Sequence, residues 1–144
     1  MSVFVLPLSR ILLSLVFIYS GYGKVFGGME GFKAGVAGLI QKSPMPQLGQ
    51  YSDILAQAGA YAEFVGGILL FIGLLSRVAA FGLIVFVILA SILAHNFWAF
   101  ADAAKYSMEL GNFLKNMGLV GGLLLIIGAG GGTLGIDGMF RRPQ

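Results

Sequence analysis

The sequence predicts an all-α, polytopic membrane protein: one domain, residues 1–144, built as a four-helix transmembrane bundle. Three observations predict this fold class. Charged residues make up only 10% of the chain, hydrophobic residues make up 58%, and the mean hydropathy is +0.91. Soluble domains carry about 25% charged residues. Only helices and closed barrels span a bilayer, and the apolar segments lack the alternation that strands require.

Four apolar segments have the length that a spanning helix needs, roughly 18–25 residues. They cover residues 3–23, 54–75, 78–98 and 113–130. The first segment lacks the basic start and small-residue cleavage site of a signal peptide, so we expect it to be retained as a helix. The second and third segments are joined only by Ser76-Arg77, so they must be antiparallel neighbours.

The two longer connections are predicted to contain helix at the membrane interface. In residues 25–53 apolar side chains recur at helical spacing. These side chains are Phe32, Val36, Leu39 and Ile40. Prolines then end this helix, and Ser52 or Asp53 is a suitable N-cap for the second span. Residues 99–112 are predicted to be part helix and part interfacial loop.

Glycine is abundant, with 23 residues, and several glycines have the spacing of close-packed helix faces. These are Gly59, Gly66 and Gly73 in the second span and Gly118 and Gly122 in the fourth. Residues 128–135 are also rich in glycine, but they lack the Lys-Ser/Thr ending of a phosphate-binding loop. We interpret them as the exit of the chain from the membrane.

Composition excludes several kinds of site. Without cysteine there is no disulfide, thiolate nucleophile or cysteine-ligated iron–sulfur or zinc centre. The net charge of +3 is scattered, which suits contact with anionic lipid and gives no basic stripe for nucleic acid. One histidine, His95, cannot provide bis-histidine haem ligation. Haem held by His95 with Met108 or Met117 is disfavoured, and no metal site is predicted.

An even number of spans places both termini on one side of the membrane. Three arginines share that side, Arg77, Arg141 and Arg142, while four lysines face the other, Lys24, Lys33, Lys42 and Lys105. The positive-inside rule is therefore close to a tie. We predict cytoplasmic termini, because Arg77 lies in a very short loop and two arginines follow the last span.

The second span contains a single carboxylate, Glu63, in an otherwise apolar stretch from 56 to 75. A charge at a helix centre costs roughly 2.5–3.5 kcal/mol on insertion scales, so Glu63 must face the protein interior. Helix polarity places the ends of spans one and three and the starts of spans two and four at the same membrane face. Lys24 and His95 lean from that face towards Glu63, which lies roughly 13 Å below it.

These side chains predict a polar pocket that opens to one membrane surface. Arg10, roughly 21 Å from Lys24 along the same helix, is predicted to form its floor. The predicted ligand-binding residues are Arg10, Tyr22, Lys24, Glu63, His95, Trp98 and Asn116, with Tyr19 and Tyr61 near the walls. Glu63 as a proton acceptor and His95 as an acid–base group are the candidate catalytic residues. The alternative is a structural network in which Glu63 pairs with Lys24 or Arg10 and fixes the helix order.

The same residues resemble a known family. Arg10, Leu12-Leu13-Ser14, Phe17, Gly21 and Lys24 resemble the first-helix pattern of DoxX-type membrane proteins. Glu63, Gly66-Gly67 and residues 73–77 are similar to its second-helix signature, and His95, Phe97-Trp98 and Asn116 to its later pattern. The resemblance implies a bacterial-type inner-membrane protein of four helices. The family's name-giving relatives are small subunits linked to thiosulfate:quinone oxidoreduction, and other members are assigned to membrane redox or stress complexes.

Three functions are compatible with these observations. The first is a redox-associated subunit, working with a partner redox enzyme, that binds a quinone or another amphipathic ligand in the pocket of Lys24, Glu63 and His95. Arg10 and the tyrosines would supply further hydrogen bonds. The second is a non-catalytic scaffold whose glycine faces and interfacial loops hold a partner enzyme. The third is a small proton-coupled transporter. The lack of a repeat or broken helix disfavours it, unless a homo-oligomer supplies the path.

Overall fold

The computed structural model describes the backbone of residues 2–139 and the side chains of residues 4–139. Arg141 and Arg142, on which the predicted orientation partly rests, lie outside these residues. Six α-helices follow one another: α1 (Ser2–Tyr22), α2 (Met29–Gln41), α3 (Ser52–Ile72), α4 (Ser76–Ala94), α5 (Ala103–Ala129) and α6 (Ile136–Met139). A π-helical turn, Gly23–Gly27, extends α1, and 3-10 turns at Pro46–Tyr51 and Phe97–Ala99 precede α3 and α5. The described part of the chain contains no strand.

Four helical segments are long and apolar enough to cross a membrane: Phe4–Gly27, Pro46–Ile72, Ser76–Ala99 and Ala103–Ala129. They confirm the predicted all-α fold of four spans. α1 packs on α3, α3 on α4 and α4 on α5, while α5 also touches α1. The core between them is apolar, formed by Phe17, Leu70, Ala79, Ala80, Leu83, Ile84, Val87, Leu123 and Ile126.

Glycines set the spacing between α1 and α3. A Cβ atom on Gly21 would lie 2.6 Å from the backbone nitrogen of Phe64, and one on Gly67 would lie 2.9 Å from that of Ile18. The two backbones are therefore in direct contact, as in small-residue helix packing within membranes. Gly59 and Gly66 pack against side chains of α4, as predicted for the second span, and Gly122 packs against Leu13. The prediction is wrong for Gly73, which ends α3 and contacts Arg10, and for Gly118, which has open space at its Cβ position.

The polar ends of the helices differ from the prediction. α5 begins at Ala103, ten residues before the predicted start, because hydropathy detects only the apolar part of a helix whose first turns are polar. Asp102 caps it, accepting a hydrogen bond of 2.9 Å from the backbone N–H of Lys105. The predicted capping of α3 by Ser52 or Asp53 is wrong, because the preceding 3-10 turn runs directly into the helix and no side chain caps it.

The predicted interfacial helix exists as α2. It packs on α3 and buries Ile40 completely, so it is part of the bundle as well as its surface. This packing places Phe32 near the end of α1, where the first polar cluster lies.

Candidate functional site

An ion pair between Lys24 and Glu63 joins α1 to α3. The π-helical turn carries Lys24 past the end of α1, and its Nζ donates a hydrogen bond to Oε2 of Glu63. Glu63 is only 4% exposed. The ammonium also lies 5.1 Å from the ring centroids of both Phe32 and Phe86, a favourable cation–π distance. Four helices thus enclose one compensated charge pair, which we call the clasp.

His95 has a different partner from the predicted one. Its Nδ1 lies 2.8 Å from Oε2 of Glu109 on α5, and no hydrogen bond joins it to Glu63. The early start of α5 explains this arrangement, since it brings Glu109 alongside the end of α4. Further along the same contact, Asn116 donates a hydrogen bond of 2.9 Å to Oγ of Ser91. His95 and Asn116 therefore belong to an α4–α5 contact separate from the clasp.

Arg10 lies in a third polar site, at the opposite end of the bundle, so its predicted place as the floor of a common pocket is wrong. The residue as a whole is 2% exposed. Nη1 donates to the carbonyl of Gly131 at 2.9 Å, and Nη2 donates to those of Leu134 at 2.9 Å and Phe71 at 3.3 Å. These acceptors lie at the end of α3 and in the glycine-rich loop after α5, so Arg10 ties three parts of the chain together.

The glycines around Arg10 have a specific steric role. A Cβ atom on Gly73 would lie 2.0 Å from Nη1 of Arg10, and one on Gly135 would lie 2.2 Å from it. Gly73 also has a φ of +71°, in the left-handed region that favours glycine. The glycine-rich segment is therefore a cradle for the guanidinium as well as an exit from the membrane.

Asp137 closes this end of the bundle by capping α4. Its Oδ1 and Oδ2 accept hydrogen bonds of 2.8 Å from the backbone N–H groups of Leu75 and Ser76. A carboxylate at a helix N-terminus is also favoured by the helix dipole. Partial burial alone would raise the pKa of Asp137, but the hydrogen bonds from Ser76 and Leu75 and the charge of Arg10 outweigh burial. They hold that pKa below its ordinary value.

This lowered pKa predicts acid sensitivity. A carboxyl group whose pKa is lower in the folded than in the unfolded protein stabilises the fold at every pH above its unfolded pKa. This stabilisation is lost as pH falls through the pKa of the folded state. We expect Asp137→Asn to cost about 1 kcal/mol at neutral pH, a usual cost of losing an N-cap. The gap between the thermal midpoints of wild type and variant should narrow as pH falls below the ordinary carboxyl pKa of about 3.9 and close only below the lower pKa of the folded state. A gap that does not narrow between about pH 4 and pH 2 would contradict the role of the charged carboxylate.

The predicted aromatic wall residues face outwards. Tyr19, Tyr22, Tyr61 and Trp98 are all exposed. Tyr22 packs with Phe26 and Phe64, at centroid distances of 5.1 and 6.2 Å. Trp98 belongs to a second cluster centred on Phe97. Their exposure matches the aromatic belt that membrane proteins place at the lipid interface.

Sequence reasoning missed Glu109, Asp137 and the glycine cradle. The alternating direction of the spans places particular helix ends at each membrane face, and the prediction used this only at the face that holds Lys24. At the opposite face the same alternation brings together the start of the first span, the turn after the second span and the end of the fourth span. That step would have placed Arg10 beside residues 73–77 and 128–137. Glu109 could have been found from its spacing with Asn112 and Asn116, which places all three on one helix face.

The structure thus defines a polytopic integral membrane protein with three separate polar contacts between its helices. In comparisons with known proteins, the DoxX profile matches residues 5–96 and the SURF4 family profile matches residues 54–142. The chain belongs to the DoxX family, as its sequence resemblance predicted.

Two proteins of Escherichia coli (strain K12) are similar over most of their length. The inner membrane protein YqjF is 30% identical over 134 residues, which cover 93% of this chain and 90% of that protein. The inner membrane protein YphA is 29% identical over 133 residues, which cover 92% and 87%. No solved structure matches.

Proposed function

We propose that this chain is a non-catalytic assembly subunit of an inner-membrane complex. The observation that carries the proposal is the pairing of its buried and half-buried ionisable groups within the described spans. Lys24 pairs with Glu63, His95 with Glu109, and Arg10 with backbone carbonyls. The inner membrane is the location named for both similar proteins. We place both termini in the cytoplasm, because Arg77 lies in the short turn on their side.

Ion pairs buried between helices are suited to fixing which helices are neighbours in the bundle. A buried pair adds little net stability compared with apolar packing, yet breaking it leaves an uncompensated charge. Glu63 therefore favours the one arrangement in which α1 and α3 are neighbours, and Glu109 does the same for α4 and α5. A proton acceptor would need access to a substrate, whereas the carboxylate of Glu63 is bound by Lys24 and shielded by helices.

The partner surface that we propose is the outer face of α5. Only 11% of the apolar window of this helix is buried, against 28% to 33% in the other spans. Gly118 and Gly121 have open space at their Cβ positions, and Leu114 and Leu125 beside them are exposed. Lys115 is also exposed on this side. We assign the face to a membrane-spanning helix of another subunit that carries an acidic residue near its end.

Filling the glycine face should prevent assembly without unfolding the subunit. We expect Gly118→Ile to leave the thermal midpoint close to that of wild type, because open space surrounds the new side chain. The complex isolated from native membranes in mild detergent should shrink to the mass of the free subunit. Site-specific crosslinking from Leu125, followed by mass spectrometry, identifies the occupant.

Gly82→Ile is the matched control, since Gly82 is also an exposed helical glycine with open space. It should change neither the mass nor the midpoint. If Leu125 crosslinks only to a second copy of the chain, the partner is that second copy and the complex is a homo-oligomer. Crosslinking only to lipid would contradict the assembly role.

One observation favours a second candidate, a redox-associated subunit of a quinone-linked oxidoreductase that binds a quinone-like amphipathic ligand. The rings of Tyr22, Phe26 and Phe64 form a cluster, with Phe26 and Phe64 in edge contact at 5.5 Å. The cluster adjoins the clasp, where the side chain of Lys24 is still 24% exposed. A flat ring could stack there and accept a hydrogen bond from the ammonium.

A further inference from the structure

A groove of about 240 Å³ lies at the end of the bundle where α4 begins, far from the clasp. It is lined by Leu75, Ser76, Arg77, Val78, Gly130, Gly131, Gly132 and Asp137. Two of these residues are charged, and the apolar rim is exposed where Leu75 and Val78 face outwards. The groove therefore joins a polar interior to a surface that acyl chains can contact.

Two buried polar groups at this end of the bundle have no hydrogen-bond partner among the described residues. They are Oγ of Ser76 and Nε of Arg10, on side chains that are 1% and 2% exposed. The Ser76 hydroxyl lies close enough to Asp137 to help lower its pKa, but it makes no hydrogen bond of normal geometry. Because buried polar groups are nearly always paired in folded proteins, the Ser76 hydroxyl in the groove lining is a candidate donor to a bound ligand.

Gly131 packs against both side chains. A Cβ atom there would be 2.3 Å from Oγ of Ser76 and 3.2 Å from Nη1 of Arg10. Gly131 and Ser76 both line the groove, and Nη1 of Arg10 donates to the carbonyl of Gly131 from behind. The adjacent Gly130 and Gly132 both have a φ of +83°. A ligand in the groove is thus next to Ser76 and one residue away from the Arg10 guanidinium.

The charges around the groove fit a single anion. Arg10 and Arg77 contribute two positive charges, and Asp137 contributes one negative charge. Both oxygens of Asp137 already accept backbone hydrogen bonds, and Arg77 makes one hydrogen bond, of 3.2 Å, to the carbonyl of Gly128. The net charge of these three groups is +1. The groups among them that can still form hydrogen bonds are mainly donors. Guanidinium and hydroxyl donors suit the several oxygens of a phosphate group.

We propose that this groove binds the phosphate group of an anionic phospholipid. Ser76 and Arg77 donate to the phosphate oxygens, and Arg10 contributes charge from behind Gly131. A phosphodiester carries one negative charge, which matches the net charge of the groove. The exposed Leu75 and Val78 lie where the acyl chains leave the headgroup. This site is independent of the assembly role and of the clasp.

The proposal is tested by titrating the full-length purified protein in detergent at constant ionic strength. The probes are short-chain phosphatidylglycerol, short-chain phosphatidylcholine and inorganic phosphate, and binding is measured by calorimetry. We expect saturable binding of phosphatidylglycerol that weakens about tenfold in Ser76→Ala and in Arg77→Gln, as the loss of one charge-assisted hydrogen bond predicts. Lys42→Gln, which removes an exposed cation at the other membrane face, should bind like wild type.

Each outcome decides the proposal. In the absence of lipid, Ser76→Ala should change the thermal midpoint little, because the hydroxyl makes no hydrogen bond among the described residues and only a weak contact with Asp137. A clearly less stable variant would mean that the hydroxyl is already paired within the fold, which overturns its assignment as a donor to the ligand. Binding of inorganic phosphate as strong as that of the lipid, and equally sensitive to both variants, supports the anion site and assigns it to a soluble phosphate. Equal binding of phosphatidylcholine, no saturable binding, or binding unaffected by both variants overturns the proposal.

Discussion

Arg10→Leu is expected to destabilise the protein strongly. The guanidinium makes three hydrogen bonds to backbone carbonyls, and a bond with a charged donor contributes about 1.5 kcal/mol or more. Leucine fills much of the space but leaves those carbonyls unpaired and removes a charge that favours ionised Asp137. We expect a loss of about 4 kcal/mol, measured by reversible unfolding in mixed detergent micelles.

Arg77→Leu is the matched control for this substitution. Arg77 is exposed and makes one hydrogen bond, to Gly128, so its loss should cost less than about 1 kcal/mol. Similar losses in the two variants would show that the cradle contributes no more than an ordinary surface contact. Arg10→Lys should fall between wild type and Arg10→Leu, because an ammonium keeps the charge but not the planar fork of donors.

Glu63→Gln is expected to have a smaller effect than Arg10→Leu, but still a large one. The substitution leaves Lys24 charged beside Phe32 and Phe86 without its carboxylate. Breaking a buried pair costs about 3–5 kcal/mol, but the partial exposure of Lys24 lets it reach the membrane surface. We therefore expect a loss of about 2 kcal/mol in the same unfolding measurement. Glu30→Gln breaks an exposed pair with Lys33 and should change stability by less than about 1 kcal/mol.

The same Glu63 variant separates the two candidate functions. For an assembly subunit, the wild-type protein carries no bound isoprenoid, and Glu63→Gln loses stability only. For a quinone-binding subunit, mass spectrometry of the purified wild type finds an isoprenoid quinone that is absent from the variant. A variant as stable as wild type that has lost such a ligand would contradict the assembly role and support the quinone-linked one.

The sequence predicted those parts of the molecule that follow from hydropathy and helix polarity. The four spans are apolar over their membrane depth, so hydropathy along the sequence was enough to locate them. Lys24 and Glu63 lie at one face and lean towards each other, and the structure pairs them. That the predicted site residues bind a ligand stays a prediction, since the contacts described above are all between residues of the chain itself.

The errors have a common physical cause. The partner of His95 depends on where α5 begins, which is decided by the Asp102 cap and by polar turns that hydropathy does not detect. The place of Arg10 depends on a loop without a hydrophobic pattern, whose glycines matter because they have no Cβ atom. Backbone carbonyls are the acceptors there, and every residue has one, so residue types alone could not reveal them.

The contacts of Arg10 also constrain how the chain is built at the ribosome. Its acceptors Gly131 and Leu134 lie 121 and 124 residues further along the sequence. During synthesis the first span therefore enters the membrane with its guanidinium lacking these two carbonyls, and it must wait near the lipid headgroups or within the insertion machinery. The bundle can close only after residues 131–134 have emerged, so this step of folding follows the insertion of all four spans and depends on the loop after α5.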